Sequence, residues 1–481
     1  VRKSESLSNK VIQMRDNSYA NVMSRKNEIM KQAVGIDYSK YEIEGIAFDY
    51  EKMMAEVGYS LEEVTKIQSE TSVGNTPLVE LKQINKLIKR ISPTGKGARI
   101  FLKDEAANPS GSFKDRRAAV SVYEAQKHGY KGVIAATSGN YGAAVASQAA
   151  KRGLKCIIVQ ETFDSQGKGQ PEIVEKARAC EAYGAEVIQL SVGPELFYYF
   201  LILLEQTGFF NASLYTPFGI AGVETLGSEL NRQMIEKTGK SPDYVVVTHA
   251  GGGNLTGTAR GLKKAGATQT KIIAASVDLS GLHMASDRDF NRKSFTTGHT
   301  GFGIPFATFP DRSDVPRNAA RALRYMDRYL LVTQGETFYV TELLAQLEGM
   351  QRGPAGNTSL CAAISLAREL DADQTVVVQE TEYTGAGKCP SAQLSFAGQN
   401  GIIVRTGNPE DNLPGTQIVL PCSPRQIHYT EMDMHKIKTS YVKQAVKNYD
   451  KTHFSDTEIA FMAQDLNITE QAVQEMLASI K

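Results

Sequence analysis

The sequence contains no tryptophan, and its five cysteines are odd in number and widely scattered. Cys156, Cys180, Cys361, Cys389 and Cys422 form no C-x-x-C pair, so neither a disulfide framework nor a zinc site is implied, and a reducing, cytoplasmic setting is expected. An excess of either charge is also missing, with 54 Lys and Arg against 53 Asp and Glu. A near-neutral chain gives no electrostatic reason for a nucleic-acid partner, which needs a basic surface. The longest apolar run, Leu196 to Leu204, falls far short of the ~20 residues that span a bilayer. Placed after Gly193-Pro194, it reads as a buried helix. The N-terminus is polar and carries no apolar stretch of the kind secretory signals need. What remains is a globular composition, 41% apolar and 22% charged, in 481 residues. That is too long for one ordinary core, so two or three packed units are expected.

Residues 1 to 73 are rich in Lys, Glu, Met and Asn with helical spacing, and Ser60 with Glu63 forms a capping-box pattern. From Gly74 the texture changes. Arg99–Lys103, Gly132–Ala136, Cys156–Gln160, Glu186–Leu190, Tyr244–His249, Lys271–Val277 and Thr375–Gln379 are short, and most are apolar nearly throughout, as strands buried on both faces should be. Segments of helical composition lie between them, such as Gly142–Gly153 and Pro171–Gly184, each ending in Gly. This alternation predicts an α/β chain with parallel sheets flanked by helices. From Met432 onward the pattern returns to helix, with a second capping box at Ser455 and Glu458.

Four Gly- or Ser-rich turns follow expected strands, where open α/β sheets place their ligands. Asn108 to Arg116 (NPSGSFKDR) opens a helix with Lys114 at its start, where the positive field of the helix end works against a cationic amine and favours a nucleophilic one. Thr137 to Gly142 (TSGNYG) offers hydroxyls and backbone N–H groups to a carboxylate at a helix N-terminus. Ala250 to Gly257 (AGGGNLTG) has three successive glycines able to close on a phosphate. Gly251, Gly253 and Gly257 stand one residue too far apart for G-x-G-x-x-G, and Thr258 occupies the place of the nucleotide-loop lysine, so a phosphate smaller than a dinucleotide is the natural ligand. Thr384 to Lys388 (TGAGK) supplies a hydroxyl able to meet a ring nitrogen. Each turn alone is as well explained as an ordinary strand–helix connection.

Together they are specific. Gly74-Asn75-Thr76-Pro77-Leu78, then NPSGSFKDR, TSGNYG, GGGNLTG and TGAGK, in this order, resemble the fold-type II pyridoxal-phosphate enzymes, threonine synthases among them, over residues 74 to about 390. The resemblance implies pyridoxal 5'-phosphate as cofactor, held as a Schiff base by Lys114 with Phe113 beside its ring. It implies Asn140 on the cofactor's phenolic oxygen, and Thr137, Ser138 and Gly139 with Asn140 on the substrate carboxylate. Gly251, Gly252, Gly253, Asn254 and Leu255 would bind the phosphate. Thr384 would face the pyridine nitrogen, with Thr381 as the alternative, and a neutral group there would moderate the electron sink. The implied architecture has two twisted sheets flanked by helices. Residues 74–131 and 232–400 would form the large cofactor domain and 132–231 a small α/β domain. Residues 1–73 would be a helical N-terminal extension and 401–481 a mainly helical C-terminal one.

Outside these motifs the chain departs from threonine synthases. Ser18–Gly45, Gln160–Gly222 and Ser294–Arg321 resemble the family of large β subunits of 2-amino-4-oxopentanoate thiolases. That family implies a small α subunit as partner, coenzyme A as second substrate beside the amino acid, and acetyl-CoA and alanine as products of ornithine degradation. A homodimer of this chain within a hetero-oligomer is expected, with no nucleic acid, membrane or metal. Such a reaction takes its nucleophile from coenzyme A, so Cys389 beside TGAGK reads as a bystander. His283 and His299 could assist at the ketone or be held by local hydrogen bonds. A threonine-synthase-like lyase on a phosphorylated amino acid is the alternative, and it predicts a second anion site for which the sequence has no clear basic cluster. A scaffold without catalysis would need neither Lys114 nor the glycine loop.

Overall fold

The computed structural model describes residues 16–137, 139–163, 167, 169, 171–191, 195–279, 315–383 and 390–480. In the larger sheet the strands lie in the order Thr430–Glu431, Arg328–Val332, Lys271–Val277, Tyr244–Thr248, Thr375–Glu380, Arg99–Asp104 and Leu78–Glu80. The five inner strands are parallel and both edge strands antiparallel. A second sheet, all parallel, runs Glu186–Ser191, Lys155–Phe163, Gly132–Thr137, Phe210–Asn211. The apolar runs of the inner strands explain the layering, because successive side chains point to opposite faces. Val245, Val247, Ala274 and Val377 join one core with Leu230, Leu255 and Leu262. Val246, Ile273, Val376 and Val378 join another with Leu344, Leu360 and Ile364. Both faces of the sheet are therefore buried under helices, as parallel sheets require.

All seven strands expected from apolar runs are present, and both capping boxes are formed. The Leu196–Leu204 run lies in the helix Glu195–Thr207 with Phe200 and Leu204 buried. Arg328–Val332 went unread because its flanking charges mask a short apolar run. The stretch from residue 401 holds more strand than expected: Ile403–Gly407 pairs with Gln417–Pro421, and Thr430–Glu431 edges the large sheet. Helix takes over only from Met434. Near the other terminus, Glu42–Glu44 and Ala47–Phe48 form a hairpin, and the Ile46 N–H donates to Glu458 of the C-terminal helices.

Three helices around the site are locked at close range. On Gly261 an added Cβ would lie 1.9 Å from the Glu224 carbonyl oxygen, and on Gly227 2.1 Å from that of Thr258. Pro217–Thr238 and Gly253–Lys264 thus touch backbone to backbone. The third helix, Lys114–Lys127, is held by a charge network. The wholly buried Arg116 donates to Glu105 through Nε at 2.7 Å and Nη2 at 2.8 Å, and to Glu229 on Pro217–Thr238 at 3.2 Å. Lys103 reaches the same Glu229 at 2.5 Å. Burial works against the Glu229 carboxylate, but Arg116 and Lys103 outweigh it and hold the group down at about 2. The Gly74-Asn75-Thr76 motif belongs to this network. Asn75 and Thr76 donate backbone N–H groups to Glu229, and Thr76 Oγ1 meets Glu105 at 2.6 Å.

Arg116→Leu removes the ion-pair partner of the buried Glu105 and leaves Glu229 to Lys103 alone, a change that typically costs about 3–5 kcal/mol. A large downward shift of the urea unfolding midpoint is expected. A shift equivalent to less than about 1 kcal/mol would show that the network is not what holds this helix.

Candidate active site

The four turns singled out in the sequence leave the carboxyl ends of strands Arg99–Asp104, Gly132–Thr137, Tyr244–Thr248 and Thr375–Glu380. Hydrogen bonds join the first to residues 381–383, at the end of the strand Thr375–Glu380; residues 384–388 lie outside the described residues. The Phe113 N–H donates to the Thr381 carbonyl at 3.0 Å, the Tyr383 N–H to the Gly111 carbonyl at 2.7 Å, and Ser112 bridges Glu382. Gly111 permits this approach: its φ is +79°, and a Cβ would stand 3.1 Å from the Tyr383 carbonyl oxygen. Lys114 is the first residue of its helix. Its Nζ lies 4.7 Å from the centroid of the Phe113 ring. Phe113 is itself buried against Val223 and Leu226. Asp115 closes the turn from behind, accepting the Ser110 N–H at 2.7 Å. Burial dominates its hydrogen bonds and pushes its carboxyl up to about 6.

Asn140 begins the helix Asn140–Arg152 and is buried. Its amide donates to Glu382, while its Oδ1 takes no hydrogen bond among the described residues. Thr137 ends its strand, and its hydroxyl oxygen accepts the N–H groups of Gly139 at 3.1 Å and Gly142 at 3.2 Å. The hydroxyl proton stays available to an acceptor. Ser138 and Thr384 lie outside the described residues, as do Cys389, His283 and His299. Thr381 is described, buried, and engaged through its carbonyl.

At the third turn Gly253 starts the helix Gly253–Lys264, after Gly252 with φ +84°. The glycines leave space that other groups crowd. A Cβ on Gly251 would fall 1.7 Å from Tyr215 Oη, and one on Gly253 2.6 Å from Arg117 Nη2. Leu255 is fully buried, and the buried Asn254 keeps its Nδ2 without an acceptor among the described residues. Arg117 Cζ lies 5.2 Å from the same Phe113 ring that Lys114 faces, which ties the first turn to the third.

Sequence reasoning missed several neighbours. Arg117, Tyr215, Glu382 and the buried His249 carried no motif, although the doubled Arg116-Arg117 and the acids of Glu380-Thr381-Glu382 were visible signals. Burial drives the His249 pKa down to about 4, so its ring is neutral at ordinary pH. Burial, with Glu382 and Asp104 nearby, pushes the Glu380 carboxyl well above the usual carboxylate range. Cys156, Cys180 and Cys361 are buried, and burial lifts the Cys180 thiol to about 12, which removes it as a nucleophile.

An amine at a helix start, a cradle that any Cβ would fill, and uncommitted amide atoms on Asn140 and Asn254 suit a phosphorylated aromatic aldehyde. The chain matches the family described as Pyridoxal-phosphate dependent enzyme over residues 70–382, and it belongs to that family. A cysteine synthase structure from Entamoeba histolytica shares the fold, covering 71% of this chain and 90% of its own at 21% identity and TM-score 0.51. Whole-chain similarity is narrower. A 2-amino-4-ketopentanoate thiolase beta subunit from an unknown prokaryotic organism is 66% identical over 94% of this chain and 96% of its own. One from Acetoanaerobium sticklandii is 64% identical over 97% and 99%. Within the pyridoxal-phosphate enzymes the chain therefore falls among these β subunits; ketopentanoate and oxopentanoate name one compound. The fold-type II architecture and the cofactor expected from sequence both hold. No described helix is long and apolar enough to cross a membrane.

Two outcomes are expected. The protein should show an absorbance band near the visible edge that disappears in Lys114→Ala; a band that survives would exclude Lys114 as the anchor. Asp115, ordinarily near 3.8 and raised to about 6 here, makes folding take up a proton between those values. Its contribution to stability is complete below about 4 and lost as pH rises through about 6. The urea midpoint of the wild type should fall across this window relative to that of Asp115→Asn; parallel profiles would refute the assignment.

Proposed function

We propose that this chain is the pyridoxal-phosphate-bearing catalytic subunit of 2-amino-4-oxopentanoate thiolase, a coenzyme A-dependent acyltransferase of ornithine degradation. The carrying observation is identity of 64–66% along nearly the whole of both chains, terminal segments included. Fold-level likeness alone would not support a particular reaction, because one fold hosts many chemistries.

In the overall reaction the substrate's C3–C4 bond breaks and a bond forms between C4 and the coenzyme A sulfur. The thiol's proton is balanced by the hydrogen gained at C3, giving acetyl-CoA and alanine. Pyridoxal phosphate, when bound, supplies the electron sink for carbanionic charge on the amino acid. Lys114 anchors the cofactor and, with its amine released, takes and returns a proton at Cα. Phe113 walls one side of this amine. Asn140 would hold the cofactor's phenolic oxygen. Thr137, Ser138, Gly139 and Asn140 would orient the substrate carboxylate. Gly251, Gly252, Gly253, Asn254 and Leu255 hold the phosphate. Thr384, or Thr381, meets the pyridine nitrogen.

In the same reading, residues 74–131 with 232–400 form the cofactor domain and 132–231 the smaller one. The partners are a small α subunit and a second copy of this chain, and the setting is cytoplasmic. Acetyl-CoA should form from 2-amino-4-oxopentanoate and coenzyme A when the α subunit is present, and Lys114→Ala should abolish it. Absence of acetyl-CoA both with and without that subunit would sink the thiolase reading.

A further inference from the structure

Arg116 and Arg117 are adjacent, both buried, and electrostatically opposite. Arg116 is held by two carboxylates. Arg117, 3% exposed, pairs with no acid among the described residues. Its Nε has no hydrogen-bond partner there, and its Nη1 reaches only the Leu214 carbonyl at 3.4 Å. A guanidinium removed from water without a counter-ion is strongly unfavourable, so a buried arginine of this kind is poised for an anion.

Its surroundings say where that anion sits. The guanidinium lies against the glycine loop, with Nη2 2.6 Å and Cζ 3.0 Å from where a Gly253 Cβ would be. Gly253 is also the first residue of the helix Gly253–Lys264, whose N-terminus is a second positive feature. A buried cation facing a helix N-terminus, with no acid between them among the described residues, is a repulsive arrangement that an anion held by both resolves. On its own helix, Arg117 follows Lys114 by three residues, a spacing that places both on one face.

We propose that Arg117 is a binding residue for the phosphate of pyridoxal phosphate, completing from the Lys114 helix the cradle that the glycine loop opens. One helix then carries both the amine that takes the cofactor's aldehyde and the cation that takes its phosphate. This extends, and rests on, the reading of the glycine loop as the phosphate site. It also explains why Gly253 bears no side chain: any Cβ would displace the guanidinium.

The test compares pyridoxal phosphate with pyridoxal, which keeps the aldehyde and lacks the phosphate. Each is titrated into the cofactor-stripped full-length chain by its absorbance near the visible edge. The wild type should bind pyridoxal phosphate much more tightly than pyridoxal. Arg117→Gln should weaken pyridoxal phosphate by at least about tenfold, the scale of a lost charge-assisted contact, and leave pyridoxal unchanged. Arg117→Lys, which keeps the charge without the planar fork, should fall between. If Arg117→Gln does not fold, a selective loss of pyridoxal phosphate affinity in Arg117→Lys carries the proposal, and an unchanged ratio overturns it. Equal weakening of both ligands in Arg117→Gln, or weakening of neither, also overturns it. Equal binding of the two by the wild type would overturn the glycine-loop reading itself, a separate failure.

Discussion

The active site depends on how the helix Lys114–Lys127 is fixed, and Arg116 fixes it. Its guanidinium ties the helix to Glu105, just past the strand Arg99–Asp104, and to Glu229 on the long helix Pro217–Thr238. That long helix meets Gly253–Lys264 backbone to backbone at Gly227 and Gly261. Gln68 of the N-terminal segment completes the clamp, donating to the carbonyls of Arg116 and Gly222 at 3.0 and 2.7 Å. Buried ion networks contribute little net stability compared with apolar packing of the same volume. What this one supplies is position: Lys114 and the glycine loop are carried on helices that cannot slide independently.

Charge is sorted along the site. Near the glycine loop stand a helix N-terminus and Arg117, with His249 kept neutral by burial. At the far strand end stand Glu382 on Asn140, and Glu380, whose burial disfavours its ionised form. Asp104 on that side is neutralised by Arg352 at the short contacts of a two-pronged pair. An elongated ligand with a dianionic phosphate at one end and polar ring atoms at the other matches this polarity.

The expectations that held from sequence concern local, periodic information. Apolar runs such as Tyr244–Thr248 and Thr375–Glu380 read as doubly buried strands because their successive valines meet the cores on opposite faces of the sheet. Ser60–Glu63 and Ser455–Glu458 read as helix starts because a capping box is closed within four residues. The positions of Lys114, Asn140 and the glycine loop at helix starts after strands were legible because turns have distinctive composition. The strand Thr430–Glu431 was not legible, since its formation depends on a pairing partner, Arg328–Val332, far earlier in the chain.

The sequence by itself determined the α/β architecture and the cofactor class, both of them consequences of periodicity, turn chemistry and motif order. Only the tertiary structure decided which of two adjacent arginines is spent on structure. Arg116 and Arg117 are chemically identical and one helical step apart, and no local rule separates them. They differ because a helix turns by about 100° per residue. That rotation carries Arg116 toward Glu105 and Glu229 and carries Arg117, one turn beyond Lys114, against a glycine loop that arrives from more than a hundred residues away.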